Sequence, residues 1–358
     1  HMQCAASGCS QAGLRKCGRC NQVSYCSADC QKSHWPLHKM RCGSTSSMCC
    51  ARQIQADEVS RAAARQEEEP MPPELARELA RLSRGERLTS LSFSSLASCH
   101  TTALGHALPT ACTLQRLTLE ECRINAEAVQ LWATNLSQLK ELEVLNLGHN
   151  QLEYRGLEIL VEALKSNTKL NELILTDNLL GPKAGQLLAE LLLQLASLQN
   201  LNLSENFLQE DGSALMAEVL RSGGRAKVDL TLDLSSNDLR VAGAKAMASL
   251  LEMDTVRSLE LASNRLHDFG IKALSQPLRR IRGLLFLGLG ENNISDEGVE
   301  ALVSSLQVND TLKTLELDYN AISEDLVKTL KQQRCQVTLA GNRPKERSGV
   351  QLSTGYAR

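Results

Sequence analysis

No stretch of this chain stays apolar for long. The longest run, about Leu187 to Leu198, is interrupted by Glu190 and Gln194, far short of the roughly 20 uninterrupted residues a membrane helix requires. No membrane span is expected. The first residues lack the charged head, apolar centre and small-residue cleavage site of a secretory signal, and His1-Met2 reads as a cloning remnant. Catalytic motifs are missing as well: there is no GxxxxGK[ST] loop, no GxSxG elbow and no HExxH pair. A hydrophobic content of 42% with a net charge of -2 excludes the disordered and membrane classes. A folded chain of two or three domains is expected.

Cysteine, by contrast, is abundant and uneven. Of 13 cysteines, seven fall between Cys4 and Cys42, which is not a secreted disulfide framework. Clustered thiols point to metal in a reducing compartment, so the expected location is cytoplasm or nucleus. The triplets at Asn135, Asn202, Asn293 and Asn309 that match a glycosylation acceptor are of a kind that arises by chance in a chain rich in Asn and Ser. The donors run Cys4, Cys9, Cys17, Cys20, Cys26, Cys30, His38, Cys42. Eight donors complete two tetrahedral sites, and thiolate with imidazole suits zinc. The spacings Cys17-x2-Cys20, Cys26-x3-Cys30 and His38-x3-Cys42 let each pair reach one ion from a tight turn or from adjacent helix turns. His34 reads as a surface residue, because the count is full without it.

Cys17-Gly-Arg-Cys20, Tyr25-Cys26-x3-Cys30-Gln31 and Trp35-x2-His38-Lys39-x2-Cys42 together resemble the MYND zinc finger. The resemblance implies a cross-brace in which Cys4, Cys9, Cys26 and Cys30 hold one zinc while Cys17, Cys20, His38 and Cys42 hold the other. Spacing alone leaves a sequential arrangement open. The first pair, Cys4-x4-Cys9, departs from the usual two-residue gap and implies a looser opening knuckle. So short a segment folds only on metal, at roughly 10 to 16 kcal/mol per structural zinc. Fingers of this family bind short proline-containing peptides, and Gln31 and Trp35 match the groove-lining positions. Trp35 packing the small core is the alternative. Arg15, Lys16, Arg19, Lys32, Lys39 and Arg41 against Asp29 suggest a nucleic-acid patch. Two zinc ions with seven thiolates bring that charge down to about +2, and nucleic acid is disfavoured.

Residues 43–73 read as a linker. A solvated helix over residues 51–69, with Ile54, Val59 and Ala63 as a thin apolar face, is expected to stop at Pro70, Pro72 and Pro73. This stretch reads as a stiff spacer, with occupation of the finger's groove by residues 70–75 as the alternative.

From Leu88 one pattern recurs, as in Leu142-Glu-Val-Leu145-Asn-Leu147-Gly-His-Asn150-Gln-Leu152. It is the leucine-rich-repeat signature. Its Asn or Cys falls at Cys122, Asn150, Asn178, Asn206, Asn237, Asn264, Asn292, Asn320 and Asn342, mostly 28 residues apart. Each unit should place a strand on the inside and an amphipathic helix outside. Strands stack about 4.8 Å apart and helices need 8 to 10 Å, so an α/β horseshoe is expected, with Asn side chains bonding neighbouring turns. The period resembles the ribonuclease-inhibitor class of repeats, which implies the fold and little about function. The expected domains are a finger at 3–42, the linker at 43–73, a capped repeat domain at 74–342, and a disordered basic tail at 343–358.

Strand positions between the leucines should face the concave side. They carry Glu120, Glu121, Glu172, Asp177, Glu205, Asp233, Glu260, Glu291, Glu316 and Asp318, against Arg116. Such a face suits a basic protein surface and repels nucleic acid. Keeping a large surface soluble is the alternative reading. Phe286 and Tyr319 are candidate anchors near the C-terminal end. The chain therefore reads as a non-enzymatic scaffold, with the finger taking a proline-containing peptide and the acidic face a basic partner. The rival is a GTPase-binding or GTPase-activating regulator, by analogy with Ran GTPase-activating proteins. A lysine methyltransferase would need a SET domain where the repeats lie.

Overall fold

The computed structural model describes residues 70–223 and 229–342 together with two short strands near the N-terminus. The chain divides into two compact units, His1–Glu69 and Pro70–Arg358. In the first, β1 (Arg15–Lys16) pairs antiparallel with β2 (Ser24–Tyr25), setting Arg15 opposite Tyr25 and Lys16 opposite Ser24. The eight zinc donors, Gln31, Trp35, the expected helix at 51–69 and the tail at 343–358 lie outside the described residues.

The second unit alternates strand and helix. It opens with α1 (Pro73–Ser83), β3 (Ser90–Ser94), α2 (Ser98–Ala107), β4 (Arg116–Glu120) and α3 (Ala126–Leu136). There follow β5 (Val144–Asn146), α4 (Glu153–Leu164), β6 (Glu172–Ile174), α5 (Ala184–Gln194), β7 (Asn200–Asn202) and α6 (Gln209–Gly223). It closes with β8 (Leu230–Asp233), α7 (Arg240–Leu251), β9 (Val256–Glu260), α8 (His267–Leu278), β10 (Phe286–Gly288), α9 (Asp296–Leu306), β11 (Thr314–Glu316), α10 (Glu324–Leu330) and β12 (Gln336–Thr338). The ten strands β3 to β12 form one sheet in chain order, every pair parallel. This is the α/β leucine-rich-repeat solenoid, with the helices on the wider, outer side of the sheet.

The core follows the repeat. Leu145, Leu173, Leu201, Leu232, Leu259, Leu287 and Leu315 stack strand on strand and are almost wholly buried. Each helix adds an apolar face, as α4 does with Leu157, Leu160, Val161 and Leu164. Helix starts pack tightly where glycine permits it. A Cβ on Gly185 would lie 1.9 Å from the Gly212 carbonyl oxygen, so only hydrogen fits between α5 and α6 there.

The ladder side chains bond successive turns. Asn206 Nδ2 donates to Leu175 O at 2.7 Å in the preceding repeat, and its Oδ1 accepts from Asn178 N at 3.0 Å. Asn264 and Asn292 repeat both bonds. Cys122, the substitute at the first rung, reaches the preceding repeat with a 3.8 Å thiol contact to Phe93 O and bonds Glu120 O in its own repeat at 3.2 Å. Two further buried asparagines, not expected from the sequence, bond the preceding repeat where the helix ends: Asn167 Nδ2 bonds Leu136 O and Leu139 O, and Asn309 does the same with Leu278 O and Ile281 O.

The residue before each ladder Asn sits in the left-handed region: Glu121, His149, Asp177, Glu205, Ser236, Ser263, Glu291 and Tyr319 have φ of 49° to 59°. That corner ends the strand and turns the chain toward its helix. Pro72 and Pro73, placed by the sequence at a helix stop, also start one: Pro73 opens α1, whose Leu75 and Leu82 are buried in the repeat core. A proline costs no backbone donor in a first helical turn. The repeat ending at Asn237 carries Asp229 where its neighbours carry Leu198 and Val256, and β8 shifts register between Leu230 and Thr231. No helix among the described residues is long and apolar enough to cross a membrane.

Candidate functional site

Parallel pairing turns positions two apart on one strand into rows across the sheet. In one row Asp233 lies beside Glu260, Glu260 beside Gly288, and Gly288 beside Glu316. Gly288 leaves a gap that the Glu260 side chain fills. The Glu260 carboxylate accepts from Ala262 N at 3.0 Å. Burial, with Asp233 and Glu316 close by, pushes its pKa up to about 7. Among the described residues none of Asp233, Glu260, Glu316 and Asp318 forms an ion pair.

Several of these acids also serve the backbone. Asp233 Oδ1 accepts from Ser235 N at 2.9 Å, as Asn146 does from Gly148 N and Asn202 from Ser204 N in earlier repeats. Asp318 accepts from Thr338 Oγ1 at 2.8 Å and from Ala340 N. An oxygen-bearing side chain at this position caps the amide two residues on, so a carboxylate there answers a local need that Asn meets equally.

The other acids separate by position. Glu121, Asp177, Glu205 and Glu291 occupy the left-handed corner, where Glu121 accepts from Ser95 Oγ and Glu291 from Ser263 Oγ. Glu172 lies between Val144 and Asn200 in the N-terminal half, and Arg116 is one strand further back, beside Val144. Glu120 and Asp177 are joined by His149, whose Nε2 is 3.9 Å from Glu120 and whose Nδ1 is 3.3 Å from Asp177. The structure thus brings Asp233, Glu260 and Glu316 into one row near Asp318 and leaves Glu172 and the corner acids apart. Phe286 is half-buried between Ser258 and Thr314, whereas Tyr319 stands 62% exposed on the neighbouring strand's corner with its ring against Gly341. Sequence reasoning missed two further apolar residues: Leu179 and Phe207 follow ladder Asn residues, are 46% and 54% exposed, and also have positive φ. Their signal was an apolar residue at a position that elsewhere holds Arg123, Gln151, Asp238, Arg265 or Asn293.

No group of three or more His, Cys, Asp or Glu among the described residues could hold a metal. In the first unit the MYND finger family matches residues 4–42, a match that implies zinc binding. The leucine-rich-repeat family matches residues 140–161, 230–248, 254–275 and 284–303. N-lysine methyltransferase SMYD2-B of Xenopus laevis is 56% identical over 41 residues, 12% of this chain and 9% of that protein. Human SMYD2 is 60% identical over 30 residues, 8% of this chain and 7% of its own. The chain thus spans less than a tenth of these relatives' length, within the finger. Among solved structures, leiomodin-1 actin-binding site 2 matches with a TM-score of 0.36 and 20% identity over 42% of this chain and 90% of that one. The Caenorhabditis elegans tropomodulin C-terminal domain matches at 0.36 and 15%, over 42% and 92%. The chain joins a MYND finger to an array of leucine-rich repeats.

Proposed function

We propose that this protein is a non-enzymatic scaffold whose repeats hold a basic protein surface and whose finger holds a proline-containing peptide. Both matched modules are protein-interaction modules. The observation that carries the repeat half is the row Asp233, Glu260, Glu316, where Glu260 is held partly buried among like charges with no cation opposite it in the described residues. Such an arrangement costs free energy in isolation and is relieved by an incoming Lys or Arg. Tyr319 beside it supplies an exposed aromatic contact.

The finger half rests on Gln31 and Trp35 at the groove-lining positions of the resemblance. Two zinc ions would use all eight donors, and the cross-brace is the arrangement that the resemblance implies, with the sequential one left open by spacing.

The test compares partners captured from a native eukaryotic extract by the intact chain, by Cys17→Ser with Cys20→Ser, and by Glu260→Lys with Glu316→Lys and Asp318→Lys. Each variant should lose a distinct set of partners. Retention of every partner by both variants would refute both halves.

A further inference from the structure

Small side chains follow the acidic row on the concave face. Ser236 N donates to Ala262 O, Ser263 N to Gly290 O, Glu291 N to Asp318 O and Tyr319 N to Ala340 O, so the turns that end β8 to β12 lie side by side. Just before their corners stand Ser235, Ala262, Gly290, Asp318 and Ala340. A Cβ on Gly290 would meet nothing nearer than 3.5 Å, and Asp318 is drawn toward β12 by its bonds to Thr338 Oγ1 and Ala340 N. A shallow trough results. Asp233, Glu260 and Glu316 border it on one side, and the corner residues Ser236, Ser263, Glu291 and Tyr319 on the other. Among the described residues of these rows every charge is negative. The bases closest in sequence to Glu260 and Glu316 are Arg257 and Lys313, which precede the concave positions Ser258 and Thr314 and by strand alternation do not share this face.

The chain itself leaves from one end of this trough. Asn342 is fixed to the last repeats by bonds to Asn320 N at 2.8 Å and Leu317 O at 3.0 Å, and the Tyr319 ring lies against Gly341. The next 16 residues carry Arg343, Lys345, Arg347 and Arg358 against Glu346. Arg343 precedes Pro344, which biases it to extended backbone. On an extended segment Arg343, Lys345 and Arg347 share one side and Glu346 takes the other. Four strand spacings, from β12 back to β8, span about 19 Å, a distance that about six extended residues cover. Lys345 and Arg347 thus come within side-chain reach of Glu316 and Glu260.

We infer that residues 343–358 dock in this trough of their own chain, with Lys345 and Arg347 on Glu316 and Glu260, and compete with the basic partner for the row. The inference rests on the reading of that row as a site for a basic protein. Charge complementarity, the point of exit and the reach of the chain select this occupant together. Attachment beside the trough gives the segment an effective concentration on the order of millimolar, so contacts too weak to hold a free peptide suffice. A partner must then displace the segment, which sets a threshold on its own affinity.

The test titrates fluorescein-labelled octalysine, followed by anisotropy, against the full chain, the chain ending at Asn342, and the full chain with Lys345→Glu and Arg347→Glu. Both changes should tighten binding at least fivefold. Arg221→Glu with Lys245→Glu alters the net charge equally on the exposed faces of α6 and α7 and should tighten it less than twofold. In a chain carrying Glu260→Gln with Glu316→Gln, the changes at Lys345 and Arg347 should lose their effect. Octalysine that binds equally with and without residues 343–358 would overturn the inference and leave the row as a site for a basic protein. Equal tightening by the two pairs of charge reversals would do the same. Octalysine that binds no form of the chain would overturn the function proposed for the row, and the inference with it.

Discussion

The carboxylate of Glu260 occupies the space over Gly288 that a side chain would need: a Cβ there would lie 2.0 Å from Oε2. The folded chain therefore holds a proton on Glu260 up to about pH 7, against an ordinary value of 4.5. Folding takes up that proton between those two values, so the group's favourable contribution is fully present below 4.5 and is lost as pH rises through 7. Glu260→Gln mimics the protonated form throughout. It should match the wild type in urea unfolding at pH 4 and exceed it by roughly 2 kcal/mol at pH 8. A difference that does not change with pH would refute the assignment.

The same proton links binding to pH. A basic ligand favours the ionised carboxylate and must displace the proton that Asp233 and Glu316, the charged groups close to it among the described residues, help to hold there. An octalysine peptide should bind several-fold more tightly at pH 8 than at pH 6, and Glu260→Gln should flatten that dependence. Titration calorimetry at the two values checks it through the accompanying proton release.

What the sequence revealed and what it hid have a common cause. A spacing of 28 residues with Leu and Asn at fixed positions is a property of one chain direction, so the strands, the outer helices and the ladder from Asn150 to Asn342 were legible. Contacts between repeats were not. His149 bridging Glu120 and Asp177 depends on three strands in register, and the row through Gly288 depends on four. The left-handed corner carried no warning, because Glu, His, Asp and Tyr stand where Gly or Asn is favoured.

Asn206 tests the ladder. Replacement by Ala strands Leu175 O and Asn178 N in a buried site, whereas Leu203 O keeps Asn237 Nδ2 and Ser204 O keeps Asp177 N. Unpaired buried groups cost about 1 to 3 kcal/mol each, partly recovered by entering water. Asn206→Ala should destabilise the repeats by about 3 kcal/mol, and Asn342→Ala, at the exposed end of the ladder, by about 1 kcal/mol. Equal effects in urea unfolding would argue against a ladder that is tightest at its centre.

The corner gives a prediction of opposite sign. Ser236 has φ 55° and is exposed, and L-residues pay about 1 kcal/mol for that conformation. Ser236→Gly should therefore raise stability by up to about 1 kcal/mol. The same change at Ser304, exposed within α9, should lower it by about 0.5 kcal/mol. Thermal melts of the two variants should move in opposite directions.

Zinc binding in the finger can be tested for number and arrangement at once. The intact chain should carry two ions per molecule, and chelation should remove them while leaving the helical circular dichroism of the separate repeat unit nearly unchanged. Cys26→Ser with Cys30→Ser should leave one ion under either arrangement. The arrangements then diverge, because the surviving cross-brace site contains His38 whereas the surviving sequential site consists of Cys4, Cys9, Cys17 and Cys20. Cobalt substituted into that variant should show the spectrum of three thiolates with one imidazole, and adding His38→Ala should release it. Retention of a four-thiolate spectrum after His38→Ala would establish the sequential arrangement and remove the cross-brace.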